Sequence, residues 1–516
     1  MLTRRADLTL AIASGVLLAL SFPKFGHPAF AWIALTPLLV ALSEAAPRRA
    51  FLLGLTTGVV YFTGTLYWIT GVMAVYGGLQ TWVAILINAA LISYLALFPA
   101  LFALVTRRIV LGYGPSALMS APIVWVATEL GRTYLFSGFP WVLLGYSQAA
   151  VLPIAQLASL FGVYGVSMLV AAVSTALALS AAGWAGRPAA GPAKAGPYVH
   201  QWSPVVVVVV IVVAVAAWGS RRAAVSEWTH AGEPIRVGMI QGNVDQAQKW
   251  DTARASSIFH DYLLMTRQAI REGAQLVLWP ESSTPFLFEE DRPGAAMVRT
   301  LAQQARIPIL FGSDQIERGR PDRLFNSAFL VRGDGTTAGV YRKMHLVPFG
   351  EYVPMQRLLF FAAPLTEQTG TFSPGLTPEL LPVDGHPVSV AICYEIVYPD
   401  LVRQFVAGGS ELLTTITNDA WFGRTSAPYQ HFQQASMRAI ENGRYLVRSA
   451  NTGISGIVDP YGRVVEQTAI FQSAVLVGEA RYLRTSTFYG RHGDVLAYAS
   501  AVAAIALLVV PRRRVQ

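Results

Sequence analysis

The chain is 516 residues long, with 53 % hydrophobic and only 13 % charged residues and a mean hydropathy of +0.44. That is too apolar for an ordinary soluble protein of this size. The net charge of +9 sits largely in short arginine pairs beside apolar runs, so it does not call for nucleic acid, and a single cysteine excludes an intramolecular disulfide.

A helix that crosses a bilayer needs about 20 apolar residues. Eight runs approach that length: 8–22, 30–42, 51–72, 79–105, 116–130, 151–183, 204–218 and 495–510. The run Val205–Val210 is β-branched and would favour a strand in water. In lipid the backbone must satisfy itself within the segment, so a helix is expected there. A cleaved signal peptide cut near Ala19-Leu20-Ser21 is the weaker reading of the first run, because further apolar runs follow at once. Basic clusters at Arg4-Arg5, Arg48-Arg49, Arg107-Arg108, Arg187 with Lys194, and Arg512 to Arg514 all fall on one side if both termini are cytoplasmic. Arg132 and Arg221-Arg222 count against this pattern. The expected division is a membrane part at 1–220, an extracytoplasmic domain at 233–491, and an eighth span with a cytoplasmic tail at 494–516. Glu129 and Arg132 lie near the end of the fifth span. An intramembrane acid is a functional candidate, but the spacing of three favours a helix-end ion pair.

Residues 233–491 read differently. Strand-like runs at 235–240, 276–279, 307–311, 328–331, 388–392 and 412–416 alternate with helical or loop stretches, as in an α/β layered domain. Residues 252–272 carry apolar side chains near helical spacing. About 260 residues suffice for one large domain with its own core. The apolar stretch 358–365 is expected to form a lid that dips into the lipid interface, against the alternative of an ordinary core segment.

Three polar residues sit at the ends of apolar runs: Glu281 after Leu276-Val-Leu-Trp-Pro280, Lys343 after Gly339-Val-Tyr-Arg342, and Cys393 after Val388-Ser-Val-Ala-Ile392. A thiol at the carboxyl end of a strand in an α/β layer faces the crevice where ligands bind. A carboxylate can take its proton, and an ammonium can hold the oxyanion of a tetrahedral intermediate. Together they make an acyl-transfer set. Singly, each has a bland reading: a helix-end acid, a surface lysine, a small buried thiol.

At these residues the segment resembles the carbon–nitrogen hydrolase (nitrilase) superfamily, through Trp279-Pro-Glu-Ser282, Tyr341-Arg-Lys343, Ile392-Cys-Tyr-Glu395 and Pro348-Phe-Gly-Glu-Tyr-Val-Pro354. With apolar runs on both sides, the whole chain resembles the apolipoprotein N-acyltransferase family. Gln241-Gly-Asn243, Lys249-Trp250, His345-Leu-Val-Pro-Phe-Gly350, Asn418-Asp-Ala-Trp-Phe-Gly423, Gly138-Phe-Pro-Trp141 and Gly145-Tyr-Ser-Gln148 agree. The resemblance implies an α-β-β-α sandwich on an α-helical membrane bundle of about eight spans. It implies a Glu281–Lys343–Cys393 triad that moves an acyl chain from a phospholipid, through a thioester, to the amine of a diacylated apolipoprotein, with no metal or other cofactor. Lys343 and the Tyr394 N–H hold the oxyanion, Glu351 orients Lys343, and Glu395 positions the loop of the nucleophile. Trp250, Asn243 and Trp421 contact substrate. A monomer in the bacterial inner membrane, with its catalytic domain on the periplasmic side and no nucleic-acid partner, completes the expectation. Two other readings stay open: a membrane-anchored amidase that uses water, and a transporter with an extracellular domain.

Overall fold

Every long apolar run is helical in the computed structural model, which describes residues 4–24, 26–185, 199–246, 252–353 and 371–510. The chain divides into two units. One comprises 1–67, 85–225 and 494–516, and the regular elements among its described residues are helices. The other comprises 68–84 and 226–493 and contains both sheets. Trp68–Ala84, although inside the expected membrane part, thus groups with the sheets.

In the helical unit, Arg4–Ala19 packs on Pro47–Leu66, and Val495–Val509 packs on Ala121–Tyr134. Small residues let the helices approach closely. A Cβ on Gly58 would lie 2.7 Å from the Ala96 Cα, and one on Gly15 would lie 2.7 Å from the Thr57 carbonyl. The valine run forms a helix, Val199–Val225, with Val206, Val207, Val210 and Val213 exposed. That surface is apolar on the outside, as lipid requires.

The described residues contain three helices long and apolar enough to cross a membrane: Thr81–Tyr113, Ala158–Ala181 and Trp202–Thr229. A fourth appears if Pro47–Leu66 and Trp68–Tyr76, bent by 51°, form one span. The count of eight is therefore not reached by length and composition. The first, fifth and eighth runs form helices of 16, 14 and 15 residues. The second is broken into Ala31–Ala34 and Thr36–Leu42, with Pro37 at the start of the latter piece. Glu129 and Arg132 also depart from a simple helix-end pair. Both turn to the backbone of the following loop. Glu129 Oε1 accepts from the Leu144 N–H at 2.7 Å, and Arg132 donates to the carbonyls of Trp141 (2.9 Å) and Val142 (3.3 Å). Buried loop carbonyls without such donors would be unsatisfied.

The second unit holds two six-stranded sheets. The first comprises β1 (Glu233–Gln241), β2 (Leu276–Leu278), β3 (Ile309–Glu317), β4 (Arg320–Val331), β5 (Thr337–Arg342) and β12 (Ala474–Tyr482), in the order β12-β1-β2-β3-β4-β5. The second comprises β6 (Leu381–Val383), β7 (His386–Ile392), β8 (Leu412–Thr417), β9 (Leu446–Ala450), β10 (Gly456–Val458) and β11 (Val464–Gln467), in the order β11-β10-β9-β8-β7-β6. The centre of each sheet is parallel, and β7 to β9 are buried along nearly their whole length. Strands covered on both faces read as continuous apolar runs, which is why β2, β7 and β8 are visible in the sequence. The Ser449 hydroxyl of β9 bridges to the carbonyls of Ile240 (2.9 Å) and Leu278 (3.2 Å) in the other sheet.

Helices cover the outer faces. Thr252–Arg271 buries Phe259, Tyr262, Leu263, Thr266 and Ala269, one face at helical spacing. Arg292–Ala305 starts at Asp291, whose carboxylate accepts from the Gly294 N–H at 2.7 Å, a normal N-cap. Both pack into a core with Trp279, Phe311 and Phe329. Pro399–Ala407 and Ala427–Asn442 flank the second sheet. The layering is helix, sheet, sheet, helix.

Candidate active site

Topology brings the three candidates to one edge. β2, β3 and β5 run in the same direction, because β4 is antiparallel to both of its neighbours. Glu281 and Lys343 therefore leave the same edge of the first sheet. Cys393 leaves the carboxyl end of β7 in the second. β7 pairs in parallel with β8, Ile392 opposite Ile416, so Cys393 and Thr417 emerge side by side.

Lys343 Nζ lies 3.1 Å from Glu281 Oε1 and 2.9 Å from Glu351 Oε1, and its side chain is 1 % exposed. Burial opposes the charge on Lys343, but Glu281 and Glu351 outweigh it and raise its pKa well above the usual ammonium value. Asn326 on β4 bridges the two acids, with Nδ2 2.7 Å from Glu281 Oε1 and 2.9 Å from Glu351 Oε1. The other Glu281 oxygen accepts from the Asn418 N–H at 2.9 Å, and the other Glu351 oxygen from the Val347 N–H at 2.7 Å. Each carboxylate is thus fixed at both ends.

Glu281 is placed by a loop crossing close over β3. The Ser283 N–H donates to the Gly312 carbonyl at 2.9 Å, and a Cβ on Gly312 would lie 2.7 Å from the Glu281 Cα. Only glycine lets the loop come so near.

Cys393 is 7 % exposed and has φ +52°, a left-handed value that non-glycine residues rarely adopt. It opens a tight turn, Cys393–Val397. Burial pushes the thiol pKa up, and Glu281 adds to this, while Lys343 and Thr417 pull it back. The resting sulfur therefore keeps its proton. Glu395 braces the turn: its carboxylate accepts from the N–H groups of Ile392 (2.7 Å), Met344 (2.7 Å) and His345 (3.1 Å) and from the Tyr341 hydroxyl (2.7 Å). It thereby ties the Cys393 turn to the segment that carries Lys343. Burial raises the pKa of Glu395 to about 7, against the pull of these donors.

The remaining expected residues are more scattered. Asn243 has φ +53°, and its N–H donates to the Asn451 carbonyl at 2.8 Å. Asn451 in turn bonds Asn418, so Asn243 joins the Glu281 network through two other asparagines. Trp421 lies in the turn Asp419–Phe422 and meets the Tyr76 ring edge-on at 5.6 Å. Phe422 meets Trp68 in the same way at 5.0 Å. The Tyr394 ring lies among His345 and Tyr398. Trp250, Lys249 and the expected lid at 358–365 lie outside the described residues.

Several contacts had no separate signal in the sequence. Asn326 sits inside a strand. Asp419, His431 and Arg448 form a fully buried cluster behind Cys393. Burial opposes the charge on Asp419, yet Arg448 and His431 hold its pKa well below the usual aspartate value. His431 is lowered by burial and by Arg448. The motif Asn418-Asp-Ala-Trp-Phe-Gly423 pointed to this region but not to its partners.

The helix, sheet, sheet, helix layering is the fold expected from the resemblance, and residues 236–483 match the carbon–nitrogen hydrolase domain. Residues 14–176 match the apolipoprotein N-acyltransferase N-terminal domain. An apolipoprotein N-acyltransferase of Geobacter metallireducens is 42 % identical over 99 % of this chain and 96 % of its own length. Those of Methylococcus capsulatus and Pseudomonas putida are 34 % and 33 % identical, over 98 % and 93 % of this chain and 96 % and 92 % of their own. The chain belongs to the apolipoprotein N-acyltransferase family. Among solved structures, an amidase from Nesterenkonia sp. is 20 % identical over 52 % of this chain and 97 % of that chain, with a TM-score of 0.39.

Proposed function

We propose that this protein transfers an acyl chain from a phospholipid to the N-terminal amine of a diacylglyceryl-cysteine lipoprotein, by way of a thioester on Cys393. Glu281 removes the thiol proton as sulfur attacks the ester carbonyl. The oxyanion is held by the Lys343 ammonium and the Tyr394 N–H. Its collapse expels the lysophospholipid, which takes the proton back from Glu281. The lipoprotein amine then attacks the thioester, gives a proton to Glu281, and leaves as an amide, while sulfur recovers its proton. The observation that carries this reading is the buried Lys343 held between Glu281 and Glu351 beside the only cysteine.

The donor is a lipid, so the reaction belongs at a membrane surface. The catalytic unit lies on the periplasmic side of the inner membrane, both termini are cytoplasmic, about eight segments cross, and the enzyme acts as a monomer. Asn243 and Trp421 line the path of the substrates.

Phospholipid alone should add one acyl mass to the protein, removable by hydroxylamine, and a diacylated lipopeptide should discharge it as an amide. Glu281→Gln and Lys343→Ala should each slow loading by about 10²–10³. Loading of Cys393→Ala at the normal rate, or discharge to water alone with the lipopeptide present, would end the proposal.

A further inference from the structure

The cluster behind the nucleophile does more than fill space. His431 lies on Ala427–Asn442 with no exposed surface, and its Nε2 is 3.1 Å from the Cys393 carbonyl oxygen. A carbonyl only accepts, so the ring proton is on Nε2. On the other side, Nδ1 accepts from Arg448 Nη2 at 3.0 Å, and Asp419 Oδ1 lies 3.0 Å away. Arg448 Nη2 also holds Asp419 Oδ2 at 2.8 Å, and the Thr417 hydroxyl holds Oδ1 at 2.9 Å. Gly453 leaves room for this carboxylate, since a Cβ there would lie 2.7 Å from its Cγ. The Phe422 ring closes the pocket edge-on at 5.9 Å from the imidazole. The imidazole is thus fixed from several sides.

The Cys393 carbonyl belongs to the same planar group as the Tyr394 N–H. In a trans peptide the two bonds point in opposite directions. Gripping the oxygen from behind therefore aims the N–H forward. A hydrogen bond to the oxygen also polarises the group and strengthens its donor end. A grip is needed because Cys393 sits at φ +52°, where the backbone does not settle unaided.

We infer that His431 is a positioning residue that aims and strengthens the Tyr394 N–H as an oxyanion donor, through its hydrogen bond to the Cys393 carbonyl, with Arg448, itself held by Asp419, fixing the imidazole. This rests on the acyl-transfer reading of Cys393 but not on the identity of the donor.

Glutamine reaches as far as Nε2, whereas asparagine reaches only as far as Nδ1. His431→Gln keeps the donor to Cys393. His431→Asn keeps a partner for Asp419 and Arg448 but loses that donor. Two reactions separate their effects. Acyl loading from p-nitrophenyl butyrate passes through an oxyanion, while alkylation by iodoacetamide does not. In His431→Asn, loading should fall by about 10- to 100-fold with alkylation within about threefold of wild type, and His431→Gln should recover most of the loss. Equal losses in both reactions, or loading in His431→Asn as fast as in His431→Gln, would overturn the inference.

A second measurement needs no variant. Cysteine labelled with 13C at its carbonyl marks one peptide group in this chain. Its infrared band should lie at the position of a hydrogen-bonded carbonyl, and a free-carbonyl position would also overturn the inference. Failure of wild-type protein to load from phospholipid, with ester loading intact, would sink the proposed function and leave this inference standing.

Discussion

Glu395 shows what a single side chain does here. Its four donors come from both sides of the site, so one carboxylate ties the Cys393 turn to the segment that carries Lys343. Its folded pKa of about 7 exceeds the ordinary 4.5. Between those values the folded protein holds a proton that the unfolded chain releases. This contribution to stability is therefore fully present below about 4.5 and is lost as pH rises through about 7. The full change is on the order of 3 kcal/mol for a completely buried group. His431 has the opposite sign, since its folded pKa is lowered, so only a comparison isolates Glu395. Unfolding midpoints in detergent from pH 5 to 8 should fall more steeply for wild type than for Glu395→Gln. Parallel curves would remove Glu395 as the source. Glu281, Lys343 and Cys393 stood out in the sequence as candidates because each follows an apolar run that changes abruptly to an ionisable side chain. Asn326, His431 and Arg448 did not. They lie within strands or a helix, where nothing local distinguishes a polar partner from a polar surface residue.

The element that places Glu281, the proposed base, is β3. Its Gly312 lies directly under the Glu281 loop, which bonds to it in both directions through the Ser283 N–H and the Pro280 carbonyl. Gly312→Ala should push that loop away and destabilise the fold by about 1–3 kcal/mol, as overpacking does. Acyl loading should fall by more than tenfold, because a base displaced by about 1 Å loses its alignment with the thiol. Wild-type loading in a folded Gly312→Ala protein would show that the close approach is incidental. The central strands were readable because they are covered on both faces. β11 is fully exposed along its length, so an apolar run has no reason to form there. β9 is buried, but Arg448 and Ser449 interrupt its apolar pattern for the sake of the polar cluster and the bridge between sheets.

At the scale of the whole molecule, the proposed topology has a direct test. In a Cys393→Ala background, a membrane-impermeant maleimide should label Glu290→Cys in cells with a permeable outer barrier and should spare Gln516→Cys. Labelling at Gln516 from outside would refute the arrangement. Apolar composition alone announced a membrane protein, but span number did not follow from it. Several runs are too short or too broken for length to decide, and the signal of 20 apolar residues is lost when a helix turns or stops at proline. Nor did order along the chain reveal that Trp68–Ala84 is part of the unit containing the sheets. That grouping has a consequence for the timing of assembly. Trp68 and Tyr76 leave the ribosome roughly 350 residues before Phe422 and Trp421, against which they pack. At about 5–20 residues per second this is a wait of roughly 20 to 70 s. Until then the early segment lacks those two rings, and a fragment beginning at Ser226 would never acquire its earliest-made piece.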